Sequence, residues 1–156
     1  MSAVILPAPS GNLAASIQGV WWLLSREDWT KDNERRIDPI LGVKPEGILT
    51  YAKTHFAAQF MKKSRTCYEE TIPAHAGHNN TQATGGYDAY FGTYEVDEET
   101  GKVAHSLIGS ITPSNIGMTV YRDLRVNENE LIIQLETTTS GDNEPITRTL
   151  TWKRIS

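Results

Sequence analysis

The clearest alternation of apolar and polar side chains lies at residues 90–110, where two strands meet at an acidic turn. If Asp97 pairs with Lys102 across the turn, Tyr94 lies opposite His105 on the neighbouring strand. Because successive strand side chains point to opposite faces, one face carries Tyr90, Tyr94, Val96, Val103, His105 and Leu107. We predict that this face is buried, so that Tyr94 and His105 are cross-strand neighbours inside the protein.

Residues 17–26 form the first predicted strand, since they are rich in the aromatic and β-branched side chains that favour strands. Alternation puts Trp21 on one face, and Trp22 and Leu24 on the other. Because both faces are apolar, we expect this strand to be covered on both sides. Residues 27–46 are charged and contain Pro residues, so we predict a connection there rather than a strand.

A tight hairpin is predicted next, in which residues 47–52 return as residues 55–61 and Tyr51 pairs with Phe56. Its buried face carries Leu49, Tyr51, Phe56, Ala58 and Phe60. Three further strands, each with one apolar face, are predicted at residues 118–126, 131–137 and 148–154. Their predicted inward side chains include Met118, Val120, Arg122, Leu124, Val126, Leu131, Ile133, Leu135, Leu150 and Trp152.

About eight strands, mostly joined as hairpins, predict a sandwich or a barrel. Eight antiparallel strands in up-and-down order close into a barrel that can hold one small ligand, and closure removes the exposed edges. We therefore predict an all-β fold, an eight-stranded antiparallel up-and-down barrel with an internal apolar pocket, built from residues 17–156. Residues 1–16 form an N-terminal arm, and residues 62–86 form a long lid-like loop, since loops of this length are functional or disordered.

The composition limits the number of domains, the partners and the location expected for this barrel. The 156 residues are enough for one domain, and no apolar run approaches the ~20 residues of a membrane-spanning helix. The formal charge of −4 and the pI near 5.5 argue against nucleic acid and membranes as partners. The single Cys67 excludes an intrachain disulfide, and the first residues lack the charged segment of a signal peptide. We therefore expect a cytoplasmic location.

Two histidines three positions apart, His75 and His78, are the candidates for a metal site. Such a site needs a third ligand and supporting hydrogen bonds, and the surrounding Gly- and Asn-rich stretch supplies none that we identify. We therefore expect no metal and no other cofactor. The chain also lacks the GxSxG, HExxH and phosphate-binding glycine motifs. The hypothesis that the protein is a hydrolase therefore has little support.

Polar residues that share the inward parity of the core are the candidates for chemistry: Tyr51, Tyr90, Tyr94, His105, Arg122, Arg148 and Arg154. Arg122 lies between Val120 and Leu124, and an unpaired buried guanidinium is very costly. We identify no inward carboxylate on the strands, which leaves either a ligand-filled or hydrated cavity, or an acid supplied by a loop. We expect Arg154 to be structural, stacked over Trp21 at one end of the barrel.

Several segments carry a family resemblance. Gly19 and Trp21 on the first strand, with Arg154 on the last, resemble the closure of lipocalins, and the chain as a whole resembles the lipocalin-like domain family of small bacterial and fungal proteins. The matching segments are GVWWLLS at 19–25, LGVKPEGILTY at 41–51, AYFGTYEV at 89–96, GKVAH at 101–105, PSNIG at 113–117, Arg122, and LTWKR at 150–154. The chain departs from the family pattern at loop 62–86 and at Trp22, where we expect a polar residue.

The resemblance implies a barrel that binds a small apolar molecule, and it implies no single reaction. Some fungal proteins of similar size and fold are cyclases of natural-product pathways, including Diels–Alderases and hetero-Diels–Alderases. This favours a cofactor-free cyclase or isomerase acting on a hydrophobic polyketide or terpenoid intermediate. The alternative is a non-catalytic carrier in which Arg122 anchors an acidic head group. A homo-oligomer is also left open, because residues 1–16 could swap between subunits.

The residues expected to act in the pocket follow from their inward parity. As catalytic residues we predict His105 and Arg122, which polarise a substrate carbonyl or enolate, with Tyr51 or Tyr94 orienting it. The predicted substrate-binding residues are Trp21, Leu49, Phe56, Phe60, Tyr90, Leu107, Val120, Ile133 and Trp152. A simpler reading remains for Tyr94 and His105: each is a core residue whose polar tip has a hydrogen-bond partner in the protein.

Overall fold

The computed structural model describes residues 3–65 and 85–156, which form a closed antiparallel barrel. The strands are β1 (Gly19–Thr30), β2 (Arg35–Arg36), β3 (Glu46–Tyr51), β4 (His55–Met61), β5 (Tyr87–Asp97), β6 (Lys102–Ser110), β7 (Thr119–Asn127), β8 (Glu130–Thr138) and β9 (Pro145–Arg154). A short α-helix, α1 (Leu13–Ser16), precedes them, and a 3₁₀ helix (Pro113–Asn115) follows β6.

Barrel closure comes from β1, which pairs with both β3 and β9. Each of the other long strands pairs with its neighbours in chain order. The two-residue β2 pairs with β1 and lies outside the closed sheet. The predicted eight-stranded up-and-down barrel is therefore confirmed. Side chains of the inward parity fill its interior, among them Trp21, Phe60, Leu124, Leu131 and Trp152.

The predicted central hairpin has the expected register, with Asp97 paired to Lys102 and Tyr94 paired to His105. A bulge follows on β6, so that Gly92 pairs with Leu107 while Phe91 pairs with Gly109. At this bulge a side chain on residue 92 would have its Cβ 1.8 Å from the carbonyl oxygen of Ser106. Glycine is therefore required where β5 and β6 come closest together.

The outer face of β1 differs from the prediction. Trp22 is 41% exposed and Leu24 is 54% exposed, so the strand is not covered on both sides. The reason is the closure itself: in a barrel one face of every strand points inward and the other points to solvent. The predicted connection at residues 27–46 is also wrong in its first part, because β1 continues to Thr30 and β2 pairs with it.

A second bulge interrupts the pairing of β1 with β9 between Leu23 and Ser25. An extra residue on one strand reverses the alternation beyond it. Trp21 and Leu23 face the interior before the bulge, whereas Arg26 and Asp28 face it afterwards, opposite Leu150 and Arg148. Charged side chains that simple alternation places outside thus enter the barrel.

One end of the barrel is closed by the predicted pair of Arg154 and Trp21. The guanidinium carbon of Arg154 lies 4.3 Å from the centre of a Trp21 ring. Arg154 also donates hydrogen bonds to the backbone carbonyls of Gln18, at 2.8 Å, and of Ser16. The Trp21 indole donates to the carbonyl of Ile17 at 2.8 Å. The structural role predicted for Arg154 agrees with these contacts.

The N-terminal arm packs against this closed end. Leu13 and Ile17 are buried in the core, and α1 begins where the Glu98 carboxylate accepts hydrogen bonds from the amides of Leu13, at 2.7 Å, and Ala14, at 3.0 Å. Such a carboxylate satisfies amides that have no partner within the helix. The sequence predicted no regular element here, because the acceptor comes from the distant β5–β6 turn.

The arm also covers part of the outer barrel surface. The Gln134 side-chain amide donates to the carbonyl of Val4 at 2.7 Å and to the hydroxyl of Thr149 at 3.0 Å. Arg125 donates to the carbonyl of Pro7 at 2.6 Å. Thr149, on the outward face of β9, is consequently buried.

Three predicted features fall outside the described residues. Cys67 and the histidines at 75 and 78 lie in the segment 66–84, as does most of the lid-like loop predicted at 62–86. In the described part of the chain, no helix has the length and apolar character needed to span a bilayer.

Replacing Arg154 with Met tests the closed end. The variant loses the contact with Trp21 and two hydrogen bonds from a charged group, so we expect the free energy of unfolding to fall by about 2–4 kcal/mol. Urea denaturation followed by tryptophan fluorescence measures it. The matched control is Lys153→Met on the exposed neighbouring position, which we expect to change stability by less than about 0.5 kcal/mol. Equal effects of the two substitutions would contradict the structural role of Arg154.

Candidate functional site

A cavity of about 380 Å³ lies inside the barrel. Its walls combine apolar side chains, among them Leu49, Leu107 and Ile133, with polar ones, among them Arg26 and Asp88. Neither Trp21 nor Arg154 lines it, so the cavity is separate from the closed end. Its volume is in the range of pockets that hold small organic molecules.

Most of the side chains predicted from the sequence line this cavity: Leu49, Tyr51, Phe56, Phe60, Tyr90, His105, Leu107, Val120, Arg122, Ile133 and Trp152. The two exceptions are Trp21 and Tyr94. Trp21 is held in the closed end by Arg154 and Ile17. The hydroxyl of Tyr94 donates to the carbonyl of Ala52 at 2.5 Å, in the turn between β3 and β4. The geometry of Tyr94 agrees with the simpler interpretation, in which it is a core residue whose hydroxyl has a hydrogen-bond partner in the protein.

Tyr51 and His105 form a buried pair at the wall of the cavity. The Tyr51 hydroxyl lies 2.6 Å from Nε2 of His105. Burial raises the pKa of Tyr51 well above its usual value, and burial together with the charge of Arg122 lowers the pKa of His105 to about 3. Both groups are therefore neutral near pH 7, and the shared hydrogen bond fixes their orientation.

Aromatic rings surround this pair. The Phe56 ring meets the His105 ring edge-on, with 4.4 Å between ring centres, and lies 6.0 Å from Tyr90. Phe60 packs against Trp152 at 5.6 Å. The two contacts of Phe56 are edge-to-face and the Phe60–Trp152 contact is tilted, and such ring packing favours fixed orientations. The cavity thus has a rigid aromatic wall beside its polar groups.

Arg122 enters the cavity from β7. One of its terminal nitrogens donates to the carbonyl of Tyr121 at 2.9 Å. No carboxylate among the described residues lies within salt-bridge distance of it. Burial lowers the pKa of Arg122; Tyr90 opposes this shift and the charge of Arg148 adds to it. Since a guanidinium stays protonated throughout the physiological range, Arg122 contributes a positive charge to the cavity.

Two ion pairs stand near Arg122 in the cavity wall. Arg148 binds Asp28 through two contacts, at 2.8 and 3.1 Å, and Arg26 binds Asp38 at 3.0 Å. Burial alone would raise the pKa of Asp38, but the backbone amide of Ile40 and the Arg26 charge outweigh it and lower that pKa. Each of the two aspartates therefore has an arginine as its ion-pair partner.

The expectation of no inward carboxylate on the strands is wrong. Asp28 turns inward because the bulge in β1 reverses the alternation, and nothing in the sequence marks that bulge as clearly as the apolar pattern marks the strand. Asp88 was missed because β5 begins at Tyr87, earlier than the predicted start of the strand. Its position two residues before Tyr90 was the signal that could have found it.

Asp88 lines the cavity without a salt bridge to any described residue. Burial raises the pKa of its carboxyl group, and the nearby charge of Arg26 partly offsets this effect. The cavity therefore contains a carboxyl group that gains a proton more easily than an exposed aspartate does. Among the described residues, no three His, Cys, Asp or Glu side chains cluster as a metal site would require.

The comparison with known families agrees with this architecture. A family model for a lipocalin-like domain matches residues 18–155. A search of the curated proteins gives no match. The barrel fold of this family supports the binding of a small molecule.

The depressed pKa of His105 predicts a pH dependence of stability. An unfolded histidine binds a proton below about pH 6.5, whereas the folded one binds it near pH 3. Between these values the unfolded state holds more protons, so stability falls as pH is lowered, by up to about 1.4 kcal/mol per pH unit. Urea unfolding at pH 7, 6, 5 and 4 measures this slope.

The matched variants are His105→Gln, which keeps a hydrogen-bonding side chain beside Tyr51, and His55→Gln on the exposed start of β4. We expect the first to reduce the slope and the second to leave it nearly unchanged. An unchanged slope in His105→Gln would contradict the assignment.

Proposed function

The chain belongs to the lipocalin-like domain family, and we propose that it is a cofactor-free cyclase or isomerase that acts on a hydrophobic polyketide or terpenoid intermediate. The observation that carries the proposal is Arg122, a cation that has no carboxylate partner among the described residues and lines a cavity with several aromatic walls. An oxygen atom that becomes negative during a reaction would be stabilised there.

Under this proposal the cavity acts mainly by shape. A flexible apolar chain packs against Phe56, Phe60 and Leu107, and this packing holds the reacting carbons close together. Exclusion of water protects a reactive intermediate. Ring closure of this kind needs little proton transfer, which suits a site whose histidine is neutral.

Arg122 supplies the electrostatic contribution. Its guanidinium donates hydrogen bonds to a carbonyl or enolate oxygen, and these bonds strengthen as negative charge develops. Neutral His105 fixes the Tyr51 hydroxyl, which can orient the same substrate group. We no longer assign a substrate contact to Tyr94 or Trp21, since neither lines the cavity.

A carrier is the second candidate, and the same observation supports it. In a non-catalytic carrier, Arg122 would form an ion pair with the acidic head group of an apolar metabolite inside the barrel. The two functions differ in what they do to a reactive precursor. A cyclase alters the rate and the stereochemistry of the product, whereas a carrier alters only solubility.

Native mass spectrometry of the purified protein, followed by organic extraction, identifies a molecule that copurifies with it. A polyketide or terpenoid with a cyclisable precursor can then be tested for ring formation with and without protein. A rate and a stereochemical outcome that are the same in both reactions would reject the cyclase and leave the carrier.

Replacing Arg122 with Leu tests the role of the cation. Loss of a single donor to a developing oxyanion typically costs two to three orders of magnitude in rate, so we expect turnover to fall by about 100-fold or more. The matched control is Arg36→Leu in β2, outside the cavity lining, where we expect turnover within about twofold of the wild type. Circular dichroism checks that both variants keep the fold. Unchanged turnover in a folded Arg122→Leu variant would remove this residue from the mechanism.

A further inference from the structure

Asp88 faces the cavity from the second position of β5. It lies directly opposite Phe60 on β4, a side chain that is 3% exposed and lines the cavity. Because cross-strand partners share one face of a sheet, the side chain of Asp88 is on the inward face, and it lines the cavity as well. Asp88 is only half-buried, so a molecule in the cavity can reach its carboxyl group.

No lysine or arginine of the chain forms an ion pair with this carboxyl group. All 15 of these residues lie in the described segments, and none is within salt-bridge distance of Asp88. The charges of Arg26 and Arg148 act on it, but each of these arginines already binds an aspartate of its own. Water can hydrate the carboxyl group in the free barrel, but water supplies no compensating charge.

The position of Asp88 is unfavourable for the free protein. Burial disfavours the charged carboxylate and raises its pKa. A leucine of similar size would occupy the place opposite Phe60 without this penalty. A bound molecule that donates a hydrogen bond to the carboxylate offsets the penalty, since hydrogen bonds to charged groups are among the stronger ones.

Arg122 lies on a different part of the cavity wall. It pairs with Val103 near the start of β6. Tyr90, two residues beyond Asp88 on β5, pairs with Ser110 at the end of β6. The cation and the carboxyl group thus come from strands on either side of β6, near opposite ends of that strand. A ligand that matches both needs an acceptor for the guanidinium and, separated from it, a donor for the carboxylate.

We propose that the ligand is an apolar carbon skeleton with an oxygen acceptor for Arg122 and a separate hydrogen-bond donor, a hydroxyl group or an amine, for Asp88. This inference rests on the proposed function, in that it names the class of molecule which the barrel binds. A hydrocarbon or a simple ketone leaves the carboxyl group of Asp88 without a matching group.

Binding of substituted ketones tests the inference without knowledge of the natural ligand. The probes are straight-chain 2-ketones of about eight to twelve carbons, each one plain, with a terminal hydroxyl group and with a terminal amine. Calorimetry measures the dissociation constants. Either added group favours water, so a cavity without an acceptor for it binds the substituted ketone more weakly than the plain one. We expect at least one substituted ketone to bind roughly 3- to 10-fold more tightly than its plain counterpart.

Asp88→Leu is the decisive variant, and Asp88→Asn separates the two donors. Leucine accepts no hydrogen bond, so we expect the preference for either substituted ketone to disappear. Asparagine keeps an acceptor oxygen without the charge, so we expect a preference for the hydroxyl group to survive and one for the amine to be lost. The matched control is Asp142→Leu, at an exposed position outside the cavity lining, which we expect to change each dissociation constant by less than about twofold.

Thermal unfolding without a probe separates a binding role from a structural one. Asp88→Asn breaks no ion pair, so we expect a thermal midpoint equal to or above that of the wild type. Asp28→Asn leaves Arg148 without its carboxylate partner, and we expect it to lower the midpoint by several degrees.

Four results would overturn the inference. They are a preference that survives in Asp88→Leu, its loss in Asp142→Leu as well, no substituted ketone that binds more tightly than the plain one, and an Asp88→Asn variant as destabilised as Asp28→Asn. Failure of every probe to bind, the plain ketones included, is a different result, because it rejects small-molecule binding and with it the proposed function.

Discussion

Pairing of the first long strand with the last is the constraint on which the rest of the structure depends. β1 follows β9 from Trp21 to Thr30, and the bulge in this pairing decides which side chains enter the barrel. It places Asp28 directly opposite Arg148, where the two side chains form an ion pair with two hydrogen bonds. A buried arginine is costly unless it is paired, so the closure that builds the barrel also makes its charged wall possible.

The charges in the cavity are unevenly compensated. Arg148 and Arg26 have aspartate partners, whereas Arg122 has none among the described residues. His105 adds no charge near pH 7, because burial and Arg122 hold its pKa near 3. The described wall thus combines neutral hydrogen-bonding groups with one cation, Arg122, that has no carboxylate partner and one carboxyl group, Asp88, that has no salt bridge. The guanidinium of Arg122 suits an electron-rich oxygen.

Periodicity alone predicted the eight long strands in outline, the register of two hairpins and eleven residues of the cavity lining, because each depends on local alternation. Alternation could not predict that Asp28 faces inward, since one extra residue in β1 reverses the parity. It also placed Trp21 and Tyr94 on the correct face but not at the correct height in the barrel, which depends on how far each strand is staggered.

Closure of the barrel by its two terminal strands also bears on how the chain reaches this state. The partners of β1 along β9 are synthesised after all the other strands of the barrel, so β1 has an unpaired edge until β9 has been made. During that interval Trp22 and Leu24 lie beside open backbone N–H and C=O groups, a combination that favours pairing with another chain. Contacts between distant parts of a sequence also form slowly. The cavity is thus assembled late. Until β9 pairs with β1, correct folding competes with association between chains.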